Sequence, residues 1–298
     1  MEFLHISDLH YRIQYPAAET GYLLIFKDML PPLEQLKKGL AKVCLDKLSF
    51  ILISGDLTEY GDEQDYRELK RQLDQAFGRI PYVVTLGNHD NLNAFCSVWA
   101  PGDDVRYGSV SHFGKVMVIV WAPGDDVRYG SVSHFGKVMV IALNNSSEHH
   151  PDGMITKEHC LWLETCLNEK AKAGDQAKAA EQVILMMHHP LITDPGKSMP
   201  AVQYPPCFTR LIKRYPIAAI LSGHTHDRLS GTFNGVLFAT AGSMSFKGYE
   251  MADRTVCFRE YASMNLCRIE DQYISIREIP VTADGKILGT IRMPQSVR

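Results

Sequence analysis

The sequence predicts an α/β domain finished by antiparallel strands. Up to about residue 225, short apolar runs alternate with segments of helical period. Beyond that point the apolar residues recur with period two, between turn signals. Several of the apolar runs also end in clusters of Gly, Asp, Asn and His.

Phe3–Ser7 is an apolar strand that runs into Asp8. Leu33–Leu45 has helical spacing. Phe50–Ile53 is a buried strand followed by Gly55 and Asp56. Glu63–Phe77 is helical and strongly charged. Tyr82–Leu86 is a strand that ends at Gly87-Asn88-His89-Asp90. A helix opens at Thr156 and runs to about Ala173, with Leu161, Leu163 and Leu167 on its core side; Thr156 and His159 form a poor capping box. After the polar linker Gln176–Glu181, Val183–Met187 is a strand that ends at His188-His189-Pro190. Phe208–Tyr215 is helical, and strand Ile217–Leu221 ends at Gly223-His224-Thr225-His226. The strand-rich tail comprises Val236–Thr240, Met264–Ile269, Tyr273–Ile279 and Ile287–Met293, and is expected to pack against the first sheet.

An exact tandem duplication interrupts this order. Val98–Ile119 and Val120–Ile141 are identical, with a period of 141 − 119 = 22 residues. Two identical abutting copies do not make a solenoid, which needs diverged and more numerous repeats. One copy, read on into Asn144-Asn145, gives a β-hairpin turning at Gly-Lys. Either copy fits the hairpin site. His112 and His134 occupy equivalent strand positions. Without one copy the chain would have 298 − 22 = 276 residues. We read residues 1–298 as a single domain.

Composition narrows the function. The net charge is −3, from 31 basic and 34 acidic residues, which disfavours a binder of duplex nucleic acid. The seven cysteines form no CxxC pair, so neither a thiolate zinc site nor a disulfide framework is expected. Free thiols, an amino terminus without a signal-peptide pattern and the lack of a long apolar run together give the expectation of a cytoplasmic protein that does not enter a membrane.

The chemistry lies at the strand ends: Asp8-x-His10, Gly55-Asp56, Gly87-Asn88-His89-Asp90, His188-His189 and Gly223-His224-x-His226. Ligands bind beyond the carboxyl ends of strands in open α/β sheets, so the five clusters are expected to converge. Gly55, Gly87 and Gly223 permit tight turns and close backbone approach there. Singly each cluster is weak; a lone histidine at a strand end is usually structural. Five in this order are not.

This set, D-x-H, GD, GNHD, a His before Pro and GHxH, resembles the calcineurin-like metallophosphoesterases over about Met1–Arg228. The opening HISD, the run His188-His189-Pro190 and Trp162-Leu163-Glu164 are similar to the branch that holds cyclic-nucleotide and glycerophosphodiester phosphodiesterases. The resemblance implies a four-layer α/β/β/α sandwich and two divalent metal ions, of Mn, Fe, Zn or Co. It implies one ion on Asp8, His10, Asp56 and His226, and the other on Asp56, Asn88, His188 and His224, with Asp56 bridging. It also implies that His89 meets the phosphate and stabilises or protonates the leaving oxygen, with Asp90 as its partner, while His189 stays structural.

Oxygen and imidazole ligands without thiolate suit such catalytic metals. Two ions about 3.5–4 Å apart clamp the attacking and leaving oxygens of an in-line displacement, and a bridging water between them gives hydroxide near neutral pH. The expected function is hydrolysis of a small phosphodiester such as a 3′,5′-cyclic nucleotide by that hydroxide. The alternatives are a phosphomonoesterase or nucleotidase of the same superfamily and a non-catalytic metal-binding scaffold. The expected partner is a small phosphoester, and a homo-oligomer is left open.

Tyr11–Pro32, Leu191–Pro206 and Ser243–Ala262 border the clusters and are expected to set substrate choice. Among them, Tyr15, Tyr22, Phe26, Tyr204 and Phe208 are candidates to stack on a base, though core packing is the commoner role. Arg12, Lys197 and Lys247 are candidates to meet a second phosphate, against the default of solvated cations. Asn144-Asn145 stands where many family members have Asp-Ser.

Overall fold

The computed structural model describes residues 1–17, 21–99, 129–148, 150–172, 182–194, 199, 201–271, 273–283 and 285–292. Two mixed sheets lie face to face. The first has the order β13-β12-β1-β2-β3, made from β1 (Glu2–Ile6), β2 (Leu48–Ser54), β3 (Tyr82–Thr85), β12 (Ala262–Glu270) and β13 (Tyr273–Thr282). The second has the order β4-β5-β6-β7-β9-β8, made from β4 (Gly130–Phe135), β5 (Val138–Leu143), β6 (Gln182–Met186), β7 (Ile217–Ser222), β8 (Ser230–Phe233) and β9 (Val236–Thr240). Strands β1–β3 are mutually parallel, as are β5, β6, β7 and β9.

Both faces of these parallel strands are covered, so their sequences read as nearly continuous apolar runs. Phe3, Phe50, Leu52, Val140, Ile184, Met186 and Leu221 fill the space between the sheets. Phe3 and Phe135 both stack on Phe50 there, with centroids 4.6 and 4.2 Å away. The outer face of the first sheet packs on α1 (Pro32–Leu40), α2 (Glu63–Phe77) and α3 (Leu92–Trp99). That of the second packs on α4 (Lys157–Lys172) and α5 (Pro206–Arg214). The molecule is therefore the α/β/β/α sandwich expected.

The tail does not simply pack against the first sheet. Strands β12 and β13 extend that sheet, β8 and β9 extend the second, and β10 (Lys247–Glu250), β11 (Thr255–Arg259) and β14 (Ile287–Arg292) form a third, three-stranded sheet. Helix α3 was not anticipated. At α4, Thr156 N–H donates to His159 Nδ1 at 3.1 Å and His159 N–H to Thr156 Oγ1 at 3.4 Å. His159 thus does the work of the usual Glu in a capping box.

The second copy of the repeat supplies the hairpin. Gly130–Phe135 pairs antiparallel with Val138–Leu143 at the edge of the second sheet. The first copy supplies Val98 and Trp99, which close α3; Trp99 is buried against Phe95 and Tyr66. The rest of the first copy, including His112, lies outside the described residues.

Candidate metal centre

All five clusters leave the carboxyl ends of parallel strands: Asp8 after β1, Asp56 after β2, Asn88 after β3, His188 after β6, and His224 and His226 after β7. The backbone there is unusual. Asp8, His10, Asp56, His224 and His226 all have positive φ, between 46° and 71°. Each such residue costs about 1–2 kcal/mol. Strain of this kind persists only where the surroundings over-determine it, and it gathers at functional sites.

Close backbone approach explains two of the glycines. A Cβ on Gly87 would overlap the backbone and carboxylate of Asp56, and one on Gly223 would overlap Ser7 Oγ.

The turns bring together two potential ligand sets that share Asp56: Asp8, His10, Asp56 and His226, and Asp56, His188 and His224. Within each set the ligand atoms lie within 4.8 Å of one another. Asn88 is buried, lines the same cavity as Asp56 and His224, and its Oδ1 has no hydrogen-bond partner. Buried acceptors of this kind carry a desolvation cost that a cation would remove. These residues fit a pair of divalent ions.

The histidine tautomers agree. His10 Nδ1 meets Glu59 Oε2 at 2.7 Å, His188 Nδ1 meets the Ser54 carbonyl at 2.7 Å, and His226 Nδ1 meets the Phe246 carbonyl at 2.9 Å. These bonds fix the Nδ1–H tautomer, so that when each ring is neutral its Nε2 lone pair faces the centre.

The electrostatics point the same way. Burial opposes charge on Asp8, but His226 and His188 pull its carboxyl down to about 2. Burial opposes charge on Asp56 too, yet His188 and His89 hold it well below the ordinary carboxylate range. Burial lowers His224 to about 3, with the like charge of His188 adding to it, so that ring is neutral. His188 is the exception: burial disfavours its charge, but Asp56 raises it to about 9. A proton on His188 takes the place of a cation beside Asp56.

His89 lies over the centre, its ring edge-on to His10 with centroids 4.7 Å apart. Its backbone N–H donates to Asp56 Oδ1 at 2.9 Å, and its Nδ1 donates to the Glu59 carbonyl at 2.9 Å. Burial opposes its charge, but the Asp56 and Glu59 carboxylates outweigh that and raise it above its ordinary value. Such a ring suits a proton donor.

Asp90 does not partner His89 as expected. Its carboxylate accepts from the Leu57, Thr58 and Gly87 backbone and from the Tyr66 hydroxyl, and so ties the turn after β2 to the turn after β3. The carboxylate beside His89 is that of Glu59, 3.5 Å from its Nδ1. Sequence reading missed Glu59, which lies three residues after Asp56. A search for the carboxylate that His10 needs to fix its tautomer would have pointed to it. Asn145 was also undervalued. Its Oδ1 accepts from the His188 and His189 N–H groups at 3.2 and 3.1 Å, and its Nδ2 donates to the His189 carbonyl at 2.8 Å. His189 is structural, bonded to Ser146 Oγ and the Pro151 carbonyl.

The centre opens into a cavity of about 460 Å³. Of the aromatic candidates, Tyr22 lines it. Tyr15 stacks on Phe26, and Tyr204 packs against Phe208 and Phe233. Arg12 is held by Asp62 and Asp65, and Lys247 by Asp227, and neither lines the cavity. Lys197 lies outside the described residues. Among the described residues, no helix is long and apolar enough to cross a membrane.

Residues 1–228 match the family model for calcineurin-like phosphoesterases. The chain is 25% identical over 217 residues to a probable cyclic nucleotide phosphodiesterase of Rhodopseudomonas palustris, covering 70% of this chain and 69% of that one. It is 26% identical over 308 residues to a cAMP/cGMP dual specificity phosphodiesterase of Mycobacterium tuberculosis, covering 99% and 84%. In fold it is similar to a purple acid phosphatase from yellow lupin seeds, with a TM-score of 0.59 at 14% identity, over 97% of this chain and 52% of that one.

Proposed function

Because the chain belongs to the calcineurin-like phosphoesterase family, and is thereby a metal-dependent phosphoester hydrolase, we propose that it cleaves small phosphodiesters, of which a 3′,5′-cyclic nucleotide is the leading candidate. The observation that carries the metal-dependent reading is the pair of ligand sets meeting at Asp56. The diester reading rests on the similarity to the two phosphodiesterases.

Asp8, His10, Asp56 and His226 would hold one divalent ion, and Asp56, Asn88, His188 and His224 the other. When bound, the ions supply the positive charge that acidifies a water and neutralises the phosphate. The chain's own residues do the rest. Asp56 faces both sets and fixes their spacing. Glu59 sets the His10 tautomer and stands beside His89. His89 holds a proton at the mouth of the cavity and delivers it to the departing oxygen. We take residues 1–298 as one catalytic domain, because strands beyond residue 228 complete both sheets.

The test compares bis(p-nitrophenyl) phosphate with p-nitrophenyl phosphate, using stripped protein resupplied with manganese and Asp56→Ala as control. Faster cleavage of the diester, dependent on both metal and Asp56, is expected. Faster cleavage of the monoester would favour a phosphomonoesterase. Cleavage of neither, with metal bound, would refute the catalytic reading.

A further inference from the structure

Strands β10, β11 and β14 follow residue 228, outside the segment that matches the family. Their register puts Glu250, Val256 and Ile291 in one row across the sheet, and Gly248, Phe258 and Gly289 in the next row but one. Side chains alternate along a strand, so Val256 and Phe258 share one face. That face is turned to the cavity, which Val256, Phe258 and Ile291 line. Gly248, opposite Phe258, keeps the space beside Val256 and the Phe258 ring open. A Cβ on Gly248 would come within 3.1 Å of Val256 Cγ1 and 3.5 Å of the Phe258 ring.

Tyr22 and Phe246 extend this wall. The three rings meet edge to face, with centroids 6.0 Å apart for Tyr22 and Phe246, 5.9 Å for Tyr22 and Phe258, and 5.6 Å for Phe246 and Phe258. The wall is bonded to the candidate metal centre. The Phe246 carbonyl accepts from His226 Nδ1, and its ring lies 5.4 Å from that of His10 and 4.6 Å from that of His226.

We infer that this wall is the specificity element of the ester site and takes an apolar, ring-bearing group of the substrate in preference to a polyol such as glycerol. The inference rests on the phosphodiesterase reading and deepens it. The candidate ligands and the wall line one cavity, and the wall meets the centre beside His10 and His226, so the organic group of a phosphate held there has this wall within the same cavity. An aromatic group placed there gains apolar burial and edge contacts. The hydroxyls of a polyol lose water to a wall made mostly of rings and aliphatic chains, in which Glu250 and Thr225 are the polar members outside the candidate ligands and His89.

The test is calorimetric binding to the full chain loaded with manganese, using phenyl phosphate, glycerol 3-phosphate and inorganic phosphate. Phenyl phosphate is expected to bind about tenfold more tightly than glycerol 3-phosphate. Phe258→Ser should remove most of that gap and leave inorganic phosphate unaffected, whereas Phe258→Leu should keep part of it. Val256→Thr, which preserves volume, should narrow the gap without endangering the fold. Equal binding of the two esters, or a gap unchanged in both Phe258→Ser and Val256→Thr, would overturn the inference. Failure of the diesterase reading is seen separately, as absent turnover of bis(p-nitrophenyl) phosphate by protein that still ranks the two ligands. Loss of all binding, inorganic phosphate included, would refute the centre and the wall together.

Discussion

The Nε2 atoms of His10 and His226 lie 3.0 Å apart, and in the Nδ1–H tautomer that each ring's own hydrogen bond fixes, neither Nε2 carries a proton. Each ring already carries its proton on Nδ1, facing Glu59 in one case and the Phe246 carbonyl in the other. Two lone pairs therefore point at one place, beside the carboxylates of Asp8 and Asp56. A cation converts that repulsion into ligation. Manganese or zinc should accordingly raise the unfolding midpoint, with a stabilisation of about 2.7 kcal/mol at roughly a hundred times Kd. His226→Ala should lose most of this increment at the first ion. A melting curve indifferent to both chelator and metal would contradict the assignment.

Glu59 acts through His10 and His89. Glu59→Gln keeps the shape but removes the charge that fixes the His10 tautomer. Metal affinity should fall by about 10–100-fold, the range seen when a carboxylate behind a ligating histidine is lost. Competition with a chromogenic chelator measures this directly. An unchanged affinity would leave Glu59 as a packing residue.

Gly87 is needed for space. Its missing Cβ is what lets the turn after β3 lie on Asp56. Gly87→Ala forces Asp56 or the turn to move, and Asp56 serves both ligand sets. Activity should fall by at least about 100-fold, since misplacing reacting groups by 1 Å can cost that much. Far-ultraviolet circular dichroism should remain unchanged, which would separate displacement of the centre from unfolding.

The candidate ligands were legible because each closes a parallel strand, and an apolar run that stops at Gly, Asp or His is visible in one dimension. Glu59, Asn145 and the tail were less so. Glu59 and Asn145 act on side chains that are neighbours only after folding: Glu59 reaches His10 across 49 residues, and Asn145 reaches His188 across 43. Asp90 misled for the opposite reason. Its adjacency to His89 in sequence does not survive the turn, which aims its carboxylate at the backbone of Leu57 and Thr58. The period-two tail announced strands but not partners, because alternation does not say which sheet edge a strand joins.

The repeat leads to a deletion test. Trp99 of the first copy closes α3, and Gly130 of the second opens β4. Excising residues 100–121 joins Trp99 to Ala122 and restores one uninterrupted unit in a chain of 298 − 22 = 276 residues. Both anchored elements are preserved, so this variant should fold, bind metal and turn over substrate at least as well as the full chain. Loss of metal binding on excision would mean that the extra unit supports the centre.

His5 makes a separate prediction about acid. It is fully buried on β1, with Nε2 2.9 Å from Ser54 Oγ. Burial lowers its pKa from the ordinary 6.5 to about 3, against a smaller opposing pull from Asp8. Between those values the unfolded chain takes up a proton that the folded ring refuses. The stabilising contribution is thus complete above pH 6.5 and is lost as pH falls toward 3, at up to about 1.4 kcal/mol per pH unit. His5→Gln removes the titration while keeping a polar side chain for Ser54. Urea unfolding at pH 7.0 and 5.5 should show wild type losing about 1.3 kcal/mol more than the variant over this interval, whatever the variant's stability at pH 7. Equal losses in the two proteins would mean that His5 is protonated in the fold.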